Sequence, residues 1–146
     1  MHIHVSMNGT PTYESDFCTC GVLRRAARAA TALYDQALRP TGLRVTQFAI
    51  LKILDRCGPL PVTRLAAKAA LERTTMARNL DPLERRGLVR VTADAADARS
   101  RLAELTEEGR AALAGALPHW QRAQDRLAQR VDPGSVQALA AALSAE

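Results

Sequence analysis

The residues with the clearest chemical potential lie in one predicted helix, residues 72–86. A helical wheel places Met76, Leu80 and Leu83 in one narrow sector, which predicts the buried face. Short hydroxyls near a helix start can bond phosphates, and an arginine one turn further on can read a guanine edge. An ordinary solvated helix surface would carry similar residues, so the wheel leaves both interpretations open. The residues of the polar face are Thr74, Arg78, Asp81 and Arg85, with Thr75 and Ala77 at its margins.

The three cysteines, Cys18, Cys20 and Cys57, form a second candidate set. An odd count without framework spacing does not predict a disulfide-stapled secreted domain. Cys18 and Cys20 lie near the start of the first predicted helix, where a thiol sensor or a soft-metal site is one interpretation. Packing as small apolar side chains is the other. His2 and His4 lie in the predicted N-terminal arm and His119 stands alone beside Trp120, so we predict neither a resident metal nor a cofactor.

Charge and motif content favour a binding protein over an enzyme. The 146-residue chain has a formal net charge of +5, which favours a polyanionic partner such as nucleic acid. It contains no basic tract, so binding must depend on the placement of individual residues. We find no Gly-rich phosphate loop, serine nucleophile motif or apolar carboxylate pair, and an enzyme is not predicted. Without a signal-peptide pattern or a membrane-length apolar run, we expect a cytoplasmic protein with no membrane partner.

The apolar periodicity predicts a mainly helical chain with one β-hairpin. Prolines and glycines divide the elements, and Thr63 is the predicted cap of the short third helix. The predicted elements are a flexible arm at 1–14, helices at 15–40, 45–56, 64–69 and 72–86, strands at 89–91 and 100–105, a hairpin tip at 93–99, and helices in 106–131 and 133–143.

The two C-terminal helices have clear start signals. Thr106 is followed by two glutamates, and Asp132 is followed by Pro133, both typical of helix N-termini. Pro118 is expected to kink the first of the two. Apolar residues recur along both helices at spacings typical of a packing seam. They are Leu113, Leu117, Trp120, Leu127 and Val131 in the first, and Val136, Leu139, Ala140 and Leu143 in the second.

The order of these elements predicts a winged helix-turn-helix over residues 43–105. In this fold two short helices joined by a tight turn precede a hairpin, and the second helix enters the DNA major groove. Residues 15–40 and 106–146 are then left as dimerisation helices, because their apolar stripes exceed what a small monomer can bury. A winged helix that binds a protein instead of DNA is the alternative, although it would not need Arg78 and Arg99.

Residues 43–113 resemble the MarR family of bacterial transcription regulators in ordered, correctly spaced segments. The resemblance implies a triangular homodimer on an inverted-repeat duplex, with repression relieved by a small, often aromatic, effector. The matching segments are Gly42-Leu43, Gln47-Phe48, Gly58-Pro59-Leu60, Leu65-Ala66, Thr74-Thr75-Met76-Ala77-Arg78, Leu83-Glu84-Arg85-Arg86-Gly87-Leu88-Val89, Asp97-Ala98-Arg99 and Leu105-Thr106-Glu107-Glu108-Gly109-Arg110.

The resemblance also assigns roles to individual residues. Asp97 and Arg99 match the family's wing motif, in which the acidic residue braces an arginine that enters the minor groove. Cys20 lies near the reactive cysteine of the family's hydroperoxide sensors, with Arg24 one turn on, although their accompanying tyrosines are not matched. The predicted DNA-binding set is Arg73, Thr74, Thr75, Arg78, Asp97, Arg99 and Arg101, the effector set is Arg24, Arg28, Tyr34 and Trp120, and the redox set is Cys18 and Cys20.

Three residues depart from the family pattern. Ala98 replaces the middle arginine of the wing motif, which removes one basic contact. Arg44 replaces the threonine that usually caps the second helix, so that cap is expected to be lost or moved to Thr46. Pro82 lies inside the recognition helix, where the missing N–H costs about 3 kcal/mol in a regular helix and predicts a kink or local loosening.

Overall fold

The computed structural model describes residues 4–5, 11–12 and 18–144. It is mainly helical with a small sheet, as predicted. The elements are β1 (His4–Val5), β2 (Pro11–Thr12), α1 (Thr19–Leu38), α2 (Val45–Cys57), β3 (Leu60–Pro61), α3 (Val62–Lys68), α4 (Arg73–Arg85), β4 (Val89–Ala93), β5 (Arg101–Leu105), α5 (Glu107–Ala128) and α6 (Pro133–Ser144). A short 3-10 turn, Arg39–Thr41, follows α1.

The chain divides into two compact units, Met1–Ala32 and Leu33–Glu146, and α1 crosses the division. In the first unit, β1 and β2 pair antiparallel, with His4 opposite Thr12. The remainder of the predicted arm, and the predicted helix start at 15–17, lie outside the described residues. The described part of α1 in this unit has no buried side chain.

The core of the second unit is built from α2, α3, α4, the sheet and α5. On α2, Phe48, Leu51 and Leu54 recur at helical spacing and are all buried. Leu65 of α3 and Leu83 of α4 are fully buried and belong to the same cluster. One continuous core therefore supports both short helices that precede the hairpin.

The sheet contains a strand that the sequence did not predict. Its order is β3-β5-β4, with Leu60 of β3 opposite Ala103 of β5. Two residues beside Pro59 have too short a pattern to show alternation, and their pairing partner lies far along the chain. The prediction of Thr63 as a cap was wrong, because α3 already begins at Val62, after Pro61.

The start of α5 is held closely against the sheet. The Thr106 hydroxyl accepts the Gly109 N–H at 3.0 Å and donates to the Gly87 carbonyl oxygen at 2.6 Å, which confirms the predicted cap and extends it. A Cβ at residue 109 would overlap the Leu88 carbonyl oxygen. Position 109 therefore requires glycine because the two backbones approach so closely.

Neither internal proline interrupts its helix. α4 continues through Pro82 to Arg85, and α5 continues through Pro118 to Ala128. The α5 seam was predicted only in part. Leu113 is buried, but the inner face then follows Ala116 and Ala123, whereas Leu117 and Val131 are 41% and 43% exposed.

The start of α6 agrees with its predicted signals. The Asp132 carboxylate accepts the backbone N–H and the hydroxyl of Ser135, at 3.0 and 2.8 Å. These bonds lower the pKa of Asp132 below its ordinary value. No helix in the described part of the chain is both long and apolar enough to cross a membrane.

Candidate nucleic-acid interface

The two faces of α4 are those that the wheel predicted. Met76, Leu80 and Leu83 are buried, while Arg78 and Thr74 are exposed on the other side. Thr75, placed at the margin, is half-buried. The helix ends at a left-handed Gly87, where the Leu88 N–H bonds the Leu83 carbonyl at 2.9 Å, a common helix C-terminus. α4 therefore offers a short polar surface on a firmly packed base.

The turn between α3 and α4 contains a strained residue. Ala70 has a φ of +53°, in the left-handed region that favours glycine. Hydrogen bonds from Leu71 N–H to the Ala66 carbonyl, at 3.0 Å, and from Ala70 N–H to the Ala67 carbonyl, at 3.2 Å, close the turn. These contacts set the direction in which α4 leaves α3.

A cleft of about 330 Å³ separates α4 from the hairpin. Its walls combine apolar side chains from α3 and α4 with polar groups and guanidinium groups at the edge. The apolar residues are Val62, Ala66 and Met76, and the polar ones are Thr63, Arg73, Arg99, Ser100 and Arg101. The structure therefore brings three arginines of the predicted DNA-binding set, from two distant segments, to one cleft.

The hairpin tip is shaped by aspartate side chains. Asp97 Oδ1 accepts the backbone N–H of Arg99 at 3.0 Å, and Asp94 Oδ1 accepts that of Ala96 at 2.9 Å. Such turns fix the backbone of a short loop. Asp97 thus braces Arg99 through its main chain, and the exposed guanidinium of Arg99 makes no ion pair with the described residues.

The start of α2 is capped by two side chains for which the sequence predicted no capping role. Asp35 Oδ1 accepts the Val45 N–H at 2.8 Å, and Gln47 Oε1 accepts the Arg44 N–H at 3.0 Å. The side chain of Arg44 does not cap the helix, so of the two predicted outcomes the structure shows loss of that cap and not its move to Thr46. Thr46 instead donates its hydroxyl to Asn79 of α4 at 2.6 Å.

The residues of the predicted effector set lie in different places. The Tyr34 hydroxyl donates to Gln124, and the phenol, whose pKa is raised by burial, lines a cavity of about 200 Å³ with residues of α5 and α6. Trp120 instead stacks on Phe48 at 5.4 Å, with the Lys52 ammonium 3.7 Å above its ring. Tyr34 and Trp120 therefore do not share that cavity.

The remaining predicted side chains lie in the first unit. Arg24 and Arg28 are exposed on α1. Arg24 Nη2 lies 3.6 Å from Cys20 Sγ, the orientation that the redox hypothesis required. Cys18 and Cys20 are both exposed, and because α1 begins at Thr19, Cys18 precedes the helix. Among the described residues, none covers either thiol.

Comparison with known proteins agrees with this geometry. The sequence profile of the MarR family matches residues 43–100. The transcriptional repressor NicR of Pseudomonas putida is 32% identical over 97 residues, which make up 66% of this chain and 61% of NicR. The M. tuberculosis transcriptional regulator MosR, solved in complex with DNA, is 44% identical, with a TM-score of 0.76 over 85% of this chain and 92% of MosR. This chain belongs to the MarR family.

Membership of the MarR family confirms the resemblance found in the sequence. A further solved structure, that of BpsR from Bordetella bronchiseptica, is 26% identical, with a TM-score of 0.71 over 85% of this chain and 94% of BpsR. That structure concerns the regulation of BpsR's DNA binding by 6-hydroxynicotinic acid. The MarR profile covers seven of the eight residues that line the cleft described above, and the eighth, Arg101, lies just beyond its end.

Proposed function

We propose that this protein is a homodimeric transcription regulator that binds an inverted-repeat DNA duplex. In this proposal α4 of each subunit enters a major groove and the hairpin reaches the adjacent minor groove. The observation that carries it is the cleft at which Arg73, Arg99 and Arg101 meet beside the exposed face of α4. Three guanidinium groups around one concave surface match a phosphate backbone passing between the grooves.

Within this surface the residues have distinct proposed roles. Arg78, exposed in the middle of α4, reads a base edge, and Thr74 and Thr75 lie nearer the helix start, where hydroxyls bond phosphates. Arg99 enters the minor groove from a tip held by Asp97. Arg73 and Arg101 neutralise phosphate charges on the stretch of DNA backbone that passes between the two grooves. Ala98 contributes no charge, so each wing has one arginine at this point.

The decisive experiment compares two arginine variants on two DNA probes. The parent protein first selects its preferred duplex from a random library, and fluorescence anisotropy then measures binding to that duplex and to a scrambled one. Arg78→Ala should weaken the selected duplex by roughly 1–3 kcal/mol and the scrambled one far less. Arg99→Ala should weaken binding to both duplexes. It should also make the slope of log affinity against log salt concentration shallower by about one, because one fewer counterion is released from the DNA.

Arg56→Ala is the matched control, because Arg56 is exposed in the last turn of α2 and does not line the cleft. It should bind both probes as the parent does. A parent that selects no duplex would contradict the proposal and favour a protein-binding winged helix. Equal losses of affinity in all three variants would show that DNA binding depends only on the net charge of the protein.

We further propose that the regulator is a repressor released by a small aromatic effector in the cytoplasm. NicR is a repressor by name, and 6-hydroxynicotinic acid regulates DNA binding by BpsR. The Tyr34 cavity has mixed polar and apolar walls, which suits a small polar aromatic molecule. Titration of a panel of hydroxylated aromatic acids should release DNA from the parent more readily than from Tyr34→Ala. Release that is equal in both proteins would place the effector elsewhere.

Thiol control is a second proposal, supported by the contact between Arg24 and the exposed Cys20. A peroxide would oxidise the Cys20 thiol to a sulfenic acid and would itself be reduced to an alcohol or to water. Peroxide should release DNA from the parent but not from Cys20→Ser, with mass spectrometry following each thiol. Equal oxidation of Cys18, Cys20 and Cys57, or release that persists in Cys20→Ser, would contradict it.

A further inference from the structure

The polar core of the DNA-binding lobe is centred on Asn79. Among the described residues, Asn79 is the one polar side chain that is buried, and it lies on α4 directly after Arg78. Its Nδ2 donates to the Thr75 carbonyl oxygen at 2.8 Å, and its Oδ1 accepts the Thr46 hydroxyl at 2.6 Å. The second bond crosses from α4 to α2. Both polar ends of the amide are therefore satisfied.

The chemistry of the partners fixes the orientation of this amide. A carbonyl oxygen can only accept, so the Asn79 NH₂ group must face Thr75. Asn79 Oδ1 then faces Thr46, whose hydroxyl is the donor. The bond has one direction, and the side chain has one arrangement that satisfies both neighbours.

The hydrogen bond between Thr46 and Asn79 lies close to the place where the backbone hydrogen bonding of α4 is interrupted. Pro82 has no N–H, so the Arg78 carbonyl lacks its partner in the next helical turn. The helical turn that carries Arg78 is therefore held less firmly by its own backbone. The Asn79 side chain adds one bond to that turn and a second to α2, on the inner side of the helix.

We infer that Thr46 and Asn79 form a positioning pair for DNA reading. The pair sets the rotation of the α4 turn that carries Arg78, and so directs the guanidinium toward the groove. An apolar contact at the same place would bury similar area but would be non-directional. The inference rests on the proposed function, because Arg78 needs a defined direction only if it reads a base.

The test separates positioning from stability. Thr46→Val keeps the shape of the side chain but leaves the Asn79 Oδ1 acceptor unpaired. It should therefore destabilise the fold and also reduce discrimination between the selected and scrambled duplexes. Combining it with Asn79→Leu replaces both partners by apolar groups, which commonly recovers stability. We expect the double variant to unfold near the parental denaturant midpoint. Its ratio of affinities for the selected and scrambled duplexes should nevertheless fall about tenfold.

Two controls complete the set. Thr46→Ser keeps the hydroxyl and should retain the parental ratio. Ile50→Val removes one methyl group from a fully buried α2 residue outside the pair and should lower stability without changing the ratio. A double variant that discriminates like the parent would overturn the inference, as would an equal loss of discrimination in Ile50→Val.

A readout without DNA distinguishes failure of this inference from failure of the proposed function. Hydrogen exchange of the Asn79–Asp81 amides should accelerate more than that of α2 and α5 amides in Thr46→Val, whereas Ile50→Val should change all of them to a similar degree. A parent that cannot discriminate between duplexes would contradict the proposed function, while the exchange rates would still decide whether the pair holds α4. Unchanged exchange in Thr46→Val would overturn the positioning role.

Discussion

Helices α4 and α6 have nearly the same length, 13 and 12 residues, yet they differ in how far their side chains are buried. α4 buries Met76, Asn79, Leu80 and Leu83 and exposes polar residues. α6 has no buried residue, and Val136, Leu139 and Leu143 are 49%, 45% and 67% exposed. The position of α4 is thus set by its own chain, whereas the described residues cover the apolar side chains of α6 only in part. A second copy of the chain is the cover we propose, consistent with the proposed homodimer.

The largest effect should follow from charges on the apolar face of α6. Completing the burial of Val136 and Leu139 in a symmetric dimer would contribute on the order of 1 kcal/mol for each of four side chains, about a thousandfold in the dimerisation constant. Val136→Glu combined with Leu139→Glu should therefore give a folded monomer at micromolar concentration in sedimentation velocity. Ala141→Glu, on the opposite side of α6, should remain dimeric. A dimer in both variants would exclude this face from the interface.

A cavity in α4 should act on folding rather than assembly. Leu83 is fully buried, and Leu83→Ala should lower the free energy of unfolding by about 3 kcal/mol. Chemical denaturation measures the loss, and sedimentation should still show the parental oligomer below the transition. A change of oligomer without loss of stability would mean that α4 also depends on a second chain.

Relief of strain in the turn before α4 should give a smaller, opposite effect. Left-handed alanine costs about 1–2 kcal/mol, and glycine adds about 0.4–1 kcal/mol of unfolded-chain entropy. Ala70→Gly should therefore stabilise the fold by about 0.5 kcal/mol in a denaturation experiment. Ala69→Gly is the control, since Ala69 has a helical φ of −82° and should lose stability. Destabilisation by Ala70→Gly would show that the turn depends on the alanine methyl group.

The smallest effect concerns the cap of α6. The folded-state pKa of Asp132 is lowered from 3.8 mainly by its hydrogen bond to the Ser135 hydroxyl. Its contribution to stability is complete above the ordinary value and is lost as the pH falls through the lowered folded value. Asp132→Asn keeps an uncharged acceptor. The difference in unfolding midpoint between parent and Asp132→Asn should therefore shrink from pH 6 to pH 3, and a constant difference would contradict the assignment.

Local patterns in the sequence determined much of this molecule. The period of apolar residues defined both faces of α4, and the short polar start signals at Thr106 and Asp132 located α5 and α6. Such features depend on neighbours within about one helical turn, so they can be read from consecutive residues. The ordered motifs of residues 43–113 also identified the family.

Only the tertiary structure decided the contacts between distant segments. Thr46 and Asn79 are 33 positions apart, and nothing in either local pattern pairs a hydroxyl with an amide. The two residues of β3 become a strand because β5 lies beside them. Gly109 is required by the Leu88 backbone, which α5 meets only after the hairpin has returned. Close packing selects these partners by distance in space, which the spacing of residues along one element does not encode.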